Sequence, residues 1–136
     1  MTWEDEMLDK HKYIVHYVID CDLPYKVDIH THGLPENFNH PNIQIILPLD
    51  KDAAHGILNT VVNVLKDGGC FLPNKCYKKI LKGAFEVKFV EANNHDEKVL
   101  RMIIPDTLNN TSFDKMNDEY KKQYLARFKK TTWIFS

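Results

Sequence analysis

The sequence predicts an α+β domain: a mainly antiparallel sheet of about five strands, in the order β-β-β-α-β-β-α, with helices packed on one face. Three observations predict it. Short β-branched and aromatic runs follow one another early in the chain, separated by brief connections. One long amphipathic stripe follows, capped at both ends. Two more alternating runs then flank a polar turn and precede a second helical pattern.

Residues 3–10 are polar and form a short helix or a loose lead-in. Tyr13 to Ile19 (YIVHYVI) is rich in β-branched and aromatic residues and reads as a strand buried on both faces. CDLPY punctuates it. From Lys26 to His32 the chain alternates: Val27, Ile29 and Thr31 fall on one face, and Lys26, Asp28, His30 and His32 on the other. Gly33 ends this strand. Pro41 to Leu49 (PNIQIILPL) is the third strand, with Pro48 at its exit.

The clearest helix comes next. Asp50 is a good N-cap, and Ala54, Ile57, Leu58, Val61, Val62 and Leu65 form one apolar stripe. Lys51, Asp52, His55, Asn59, Asn63 and Lys66 make the opposite face, and Gly68 and Gly69 stop the helix. Gly56 inside it implies close packing on the sheet. Residues 73–83 (PNKCYKKILKG) read as one or two helical turns closed by Gly83. Phe85, Val87 and Phe89 mark a fourth strand, NNHDEK a polar loop, and VLRMIIP a fifth strand ended by Pro105. A C-terminal helix is expected over about 114–130, and TTWIFS is a short last strand. With 136 residues and no dividing linker, residues 1–136 make a single domain.

Composition narrows the class. The chain is 43% hydrophobic and 27% charged, which fits a globular domain and excludes disorder. A net charge of -1 leaves no electrostatic footprint for nucleic acid. Three cysteines, Cys21, Cys70 and Cys76, without a C-x-x-C pair point to a reducing compartment, with the cytoplasm as the default. The acidic start is no secretory signal, and no run is apolar for long enough to span a bilayer, so no membrane partner is expected.

The chemistry-bearing stretch is HTHGLPENFNH, from His30 to His40. Asp28, His30 and His32 share one strand face. Gly33 turns the chain, so Glu36 and His40 could fold back toward them. These five are the candidate ligand-binding residues. Imidazole and carboxylate are natural ligands of a divalent transition metal such as zinc, with His30, His32 and His40 as the metal set. The same cluster could supply a general base without metal. The plainer reading is a solvated strand face with no cofactor, plus a histidine bonding the turn backbone. Cys76 beside Lys75, Lys78 and Lys79 is the better-placed thiol, yet no nucleophile motif surrounds it. Lys121, Lys122, Arg127, Lys129 and Lys130 crowd the last helix among Tyr120, Tyr124, Phe128 and Trp133. The helical spacing of these aromatics favours core packing over nucleic-acid binding.

THGLPENFNHPNIQIILPLDKDAAHGILNTVV resembles the bacterial family known as domain of unknown function 4262. The matching positions are Gly33-Leu34, Glu36, Phe38, His40-Pro41, Ile43 to Leu47, Ile57-Leu58-Asn59 and Ile104-Pro105-Asp106. The resemblance covers about residues 25–106. It implies a small soluble domain and brings no catalytic residues. Many members carry tyrosine where His30 stands, so a three-histidine metal site would belong to a subgroup. LNNTSFDKMN replaces the Trp- or Pro-containing segment that the family pattern puts after the last hairpin strand.

Two functions are open at this point. One is a module that binds a small molecule or protein partner near residues 28–40, as a monomer or homodimer. The other is a metal-dependent hydrolase using His30, His32 and His40, with Asp28 or Glu36 as ligand or base.

Overall fold

A computed structural model describes residues 2–125. Helix α1 (Trp3–His11) precedes β1 (Ile14–Ile19) and β2 (Val27–His32). A one-turn helix α2 (Leu34–Phe38) leads to β3 (Ile43–Ile45), and α3 (Lys51–Lys66) follows. Then come β4 (Cys76–Tyr77), β5 (Val87–Asn94), β6 (Glu97–Ile103), α4 (Asp118–Lys121) and a 3-10 turn at Lys122–Tyr124.

The α+β class holds, but the sheet is larger and mixed. Six strands run in the order β1-β2-β3-β6-β5-β4, and β3 pairs with β6 in parallel. The reason is the α3 crossover: a 16-residue helix carries the chain back along the sheet, so a later strand can lie parallel to β3. The sixth strand, β4, lies where one or two helical turns were expected over 73–83. Asn74 and Lys75 instead bond the backbone of Phe89, drawing this segment onto the sheet edge. The hairpin loop NNHDEK shrinks to a two-residue turn, because Asn94 pairs with Glu97 and His95 takes a left-handed φ of 58°.

Alternation places Ile29, Ile43, Ile45, Phe89, Leu100 and Met102 on one face, under the buried stripe of α3. The Asp50 side chain accepts from Ala53 N at 2.8 Å and starts that helix. Gly56 is not a packing device, since a Cβ there would meet nothing within 4 Å. The helices are not confined to this face. The chain after β6 returns across the other one, where buried Met116 and half-buried Tyr120 and Tyr124 pack on Val90 and Ile103. Asp106 organises that return: its carboxylate accepts from the backbone N–H of Leu108, Asn110 and Asn117 and from the Asn110 amide. The expected helix over 114–130 is cut to α4 and its 3-10 continuation within the described residues. Its remainder, residues 126–130, and the TTWIFS strand lie outside them.

Candidate functional site

The hairpin register fixes the site. In β1–β2, His16 lies opposite His30, and Val18 opposite Asp28. His30 then lies opposite Gln44 in β3, Gln44 opposite Arg101 in β6, and Arg101 opposite Val90 in β5. Partners in register share a face, so His16, His30, Gln44, Arg101 and Val90 form one transverse row across five strands, on the face away from α3.

Four side chains near this row form a buried polar relay. Arg101 is fully buried and donates through Nε to Gln44 Oε1 at 2.8 Å. Its guanidinium also donates to the carbonyls of Gln123 (3.1 Å) and Leu125 (2.7 Å). Gln44 passes the polarity on, its Nε2 donating to Asp28 Oδ1 at 3.1 Å. The same Asp28 oxygen is 3.0 Å from His30 Nδ1. Burial alone would raise the Asp28 carboxyl. The His30 hydrogen bond and charge, the Gln44 bond and the Arg101 charge outweigh it and hold Asp28 below the usual carboxylate range. An ionised carboxylate only accepts, so the proton between the two residues belongs to His30 Nδ1. In the neutral ring Nε2 is then the acceptor.

The imidazoles of β1 and β2 gather beside this end of the relay. The His16 ring meets His30 edge-on with centroids 5.2 Å apart and stacks on His32 at 5.8 Å. Nε2 of His16 is shielded from solvent without a hydrogen-bond partner among the described residues, and Glu4 Oε1 stands 3.7 Å from it. His32 is exposed at the strand end.

The structure thus brings Asp28, His30 and His32 together and adds His16, which the sequence reading placed in a strand buried on both faces. It does not bring in His40 or Glu36. His40 is buried, its Nδ1 2.8 Å from Pro41 O and its Nε2 accepting from Phe71 N at 3.1 Å. It packs edge-on against Phe71, in the core under α3. With both ring nitrogens committed to backbone, it has no lone pair for a metal. Glu36 is exposed in the first turn of α2. Among the described residues, no group of three or more His, Cys, Asp and Glu side chains is arranged to hold a metal ion.

Local structure explains why HTHGLPENFNH folds away from His30. Gly33 has φ 110°, and a Cβ there would lie 2.8 Å from Leu8 Cδ2 and 3.0 Å from Lys12 O, so only glycine fits. Asn42 accepts from Leu34 N and from the Thr31 hydroxyl, which in turn accepts from Ile43 N. These bonds stitch the end of β2 directly to β3, and α2 bulges out as a one-turn connection.

The other sequence candidates are placed as follows. Cys21, Cys70 and Cys76 are free thiols, and Cys76 Sγ is 3.6 Å from Thr111 Oγ1. Tyr120 and Tyr124 pack on the second core cluster, while Lys121 pairs with Asp118 at 3.3 Å. Arg127, Phe128, Lys129, Lys130 and Trp133 lie outside the described residues. No helix among the described residues is long and apolar enough to cross a membrane.

The fold and the relay define a small α+β domain that keeps a polar, histidine-rich patch on one sheet face. Residues 7–110 match the family model described as Domain of unknown function (DUF4262), and the chain belongs to that family. No curated protein and no solved structure matches it.

Proposed function

We propose that this chain is a ligand-binding module whose site is the patch of His16, His30 and His32 above Asp28. One observation carries the reading: a buried charged relay, Arg101–Gln44–Asp28, ends on an imidazole that reaches the surface. Burying a charged network costs folding free energy unless it is fully paired. Here the cost fixes the His30 ring: Asp28 holds its Nδ1–H, which leaves Nε2 as the nitrogen a ligand can meet. The unpartnered Nε2 of His16 lies in the neighbouring ring. A ligand that donates a hydrogen bond, such as a hydroxylic or amine compound, complements the neutral form of the His30 ring.

Free cysteines suit a reducing compartment. A protein partner, or a second copy of the chain, is the macromolecular form of the same proposal. The test is a titration of nitrogen-labelled protein with a fragment set of hydroxylic and amine compounds, read at the histidine ring signals. Saturable shifts at His30 and His16 that vanish in His30→Ala support the site. Shifts confined to other residues, or unchanged in His30→Ala, count against it.

The Asp28–His30 dyad favours one second reading, hydrolysis without metal. A histidine oriented by a carboxylate is general-base equipment and would take a proton from water. Turnover of p-nitrophenyl esters that is lost in His30→Ala is its signature.

A further inference from the structure

We propose that the groove between α1 and α3 is a second ligand site, which takes a small amphipathic anion: an aromatic or aliphatic body carrying one acidic group. It lies against the α3 side of β1, so it is separate from the histidine patch and does not rest on that reading.

The first observation is the cavity, about 400 Å³. That size is within the range of small-molecule sites. Trp3 and Met7 of α1 form one wall, and Ile14 and Val15 of β1 form the floor. His55, Asn59 and Lys66 of α3 form the other wall.

The second observation is what α1 does for the fold. None of its residues is buried, and Trp3 is 67% exposed. Helix α1 is nevertheless capped at both ends and tied to α2 at its C-terminus. Thr2 and Asp5 form a reciprocal capping box, Lys12 N donates to Leu8 O at 2.8 Å, and Asn37 Nδ2 donates to Lys12 O at 2.9 Å. Trp3, Met7 and His11 recur every four residues and so share one stripe, and all three line the groove. A positioned helix whose large apolar side chains face a cavity rather than the core is the wall of a binding site.

The third observation is charge. The chain as a whole is balanced, with 18 Lys and Arg against 19 Asp and Glu. The groove is not: Lys66 lines it, with the imidazoles of His11 and His55, and among the described residues no carboxylate does. Asn59 Oδ1 accepts from the Tyr13 hydroxyl at 3.0 Å, which leaves the Asn59 amide N–H groups as donors on the same helix face, two turns before Lys66. An apolar body between Trp3, Met7 and Val15, with its acidic group toward Lys66, matches these walls.

The probe is anilinonaphthalene sulfonate, an aromatic body with one anionic group, compared with uncharged phenylnaphthylamine. Binding is followed by dye fluorescence on the folded full chain. The expected result is one saturable site for the sulfonate. Lys66→Ala weakens the sulfonate about tenfold, as expected for loss of one charge-assisted contact, and leaves the uncharged dye unchanged. Trp3→Ala weakens both dyes, and His30→Ala neither. Lys66 and Trp3 are both exposed, so these variants keep the core intact. Unsaturable binding, or sulfonate affinity unchanged by Lys66→Ala and Trp3→Ala, overturns the proposal.

Discussion

His30 Nδ1 stands 3.0 Å from Asp28 Oδ1, two residues back along β2 and on the same face. That contact joins a buried network to the surface, because Asp28 also receives Gln44, and Gln44 receives Arg101. The consequences are measurable at each member.

Asp28 makes stability depend on pH in a defined direction. Its folded carboxyl titrates below the unfolded value of 3.8, so its contribution is fully present above that value. It is lost as pH falls through the lower folded value. Asp106 is held low as well: burial opposes ionisation there, but hydrogen bonds from Asn110, Asn117 and Leu108 outweigh it. Urea unfolding between about pH 2 and pH 6 should therefore show a shallower acid limb in Asp28→Asn than in the wild type, with the Asp106 part remaining. Equal limbs would mean that Asp28 is not held ionised by its neighbours.

Arg101 is the counter-charge of the relay. Removing one partner of a buried charged network typically costs about 3–5 kcal/mol. Arg101→Met should fall in that range by chemical denaturation. The double variant with Asp28→Asn should lose less than the two single losses together, with a coupling of about 1–3 kcal/mol. Simple additivity would break the link through Gln44.

His40 serves the fold. His40→Ala removes the acceptor of Phe71 N and leaves space beside the Phe71 ring, at a cost of about 2–4 kcal/mol. The ring signals of His30 and His32 should not move. Unchanged stability with shifted His30 signals would return His40 to the site.

Gly56 is an open position on α3. Its exposed helical backbone and the free space at its Cβ predict that Gly56→Ala raises stability by about 0.5–1 kcal/mol, read as a higher denaturation midpoint. A loss of stability would mean that the glycine is needed for close approach after all.

Much of this fold was legible because it depends on local pattern. The alternation of β2 put Asp28, His30 and His32 on one face, and the Asp50 cap and apolar stripe located α3. His16 was also within reach. The β1–β2 hairpin is symmetric about residue 23, so an antiparallel reading through CDLPY sets His16 against His30. Gln44 and Arg101 left a weaker sign, each a lone polar residue inside an apolar strand. Their meeting depends on the parallel β3–β6 pair, which forms across the whole α3 crossover and leaves no periodicity in either segment. His40 misled for a related reason. Sequence nearness to His30 suggested a common site, whereas the bonds of Thr31 and Asn42 send the chain to the other face. The stretch 73–83 was read by its lysines and glycine as helix, but backbone pairing with Phe89 overrides that local preference.

The most direct test of the histidine site is the tautomer of His30, read from its ring nitrogens by NMR near neutral pH. For the neutral ring the relay predicts the proton on Nδ1, and a shift toward the Nε2–H form in Asp28→Ala. A neutral wild-type ring carrying its proton on Nε2, or a tautomer indifferent to Asp28→Ala, would contradict it.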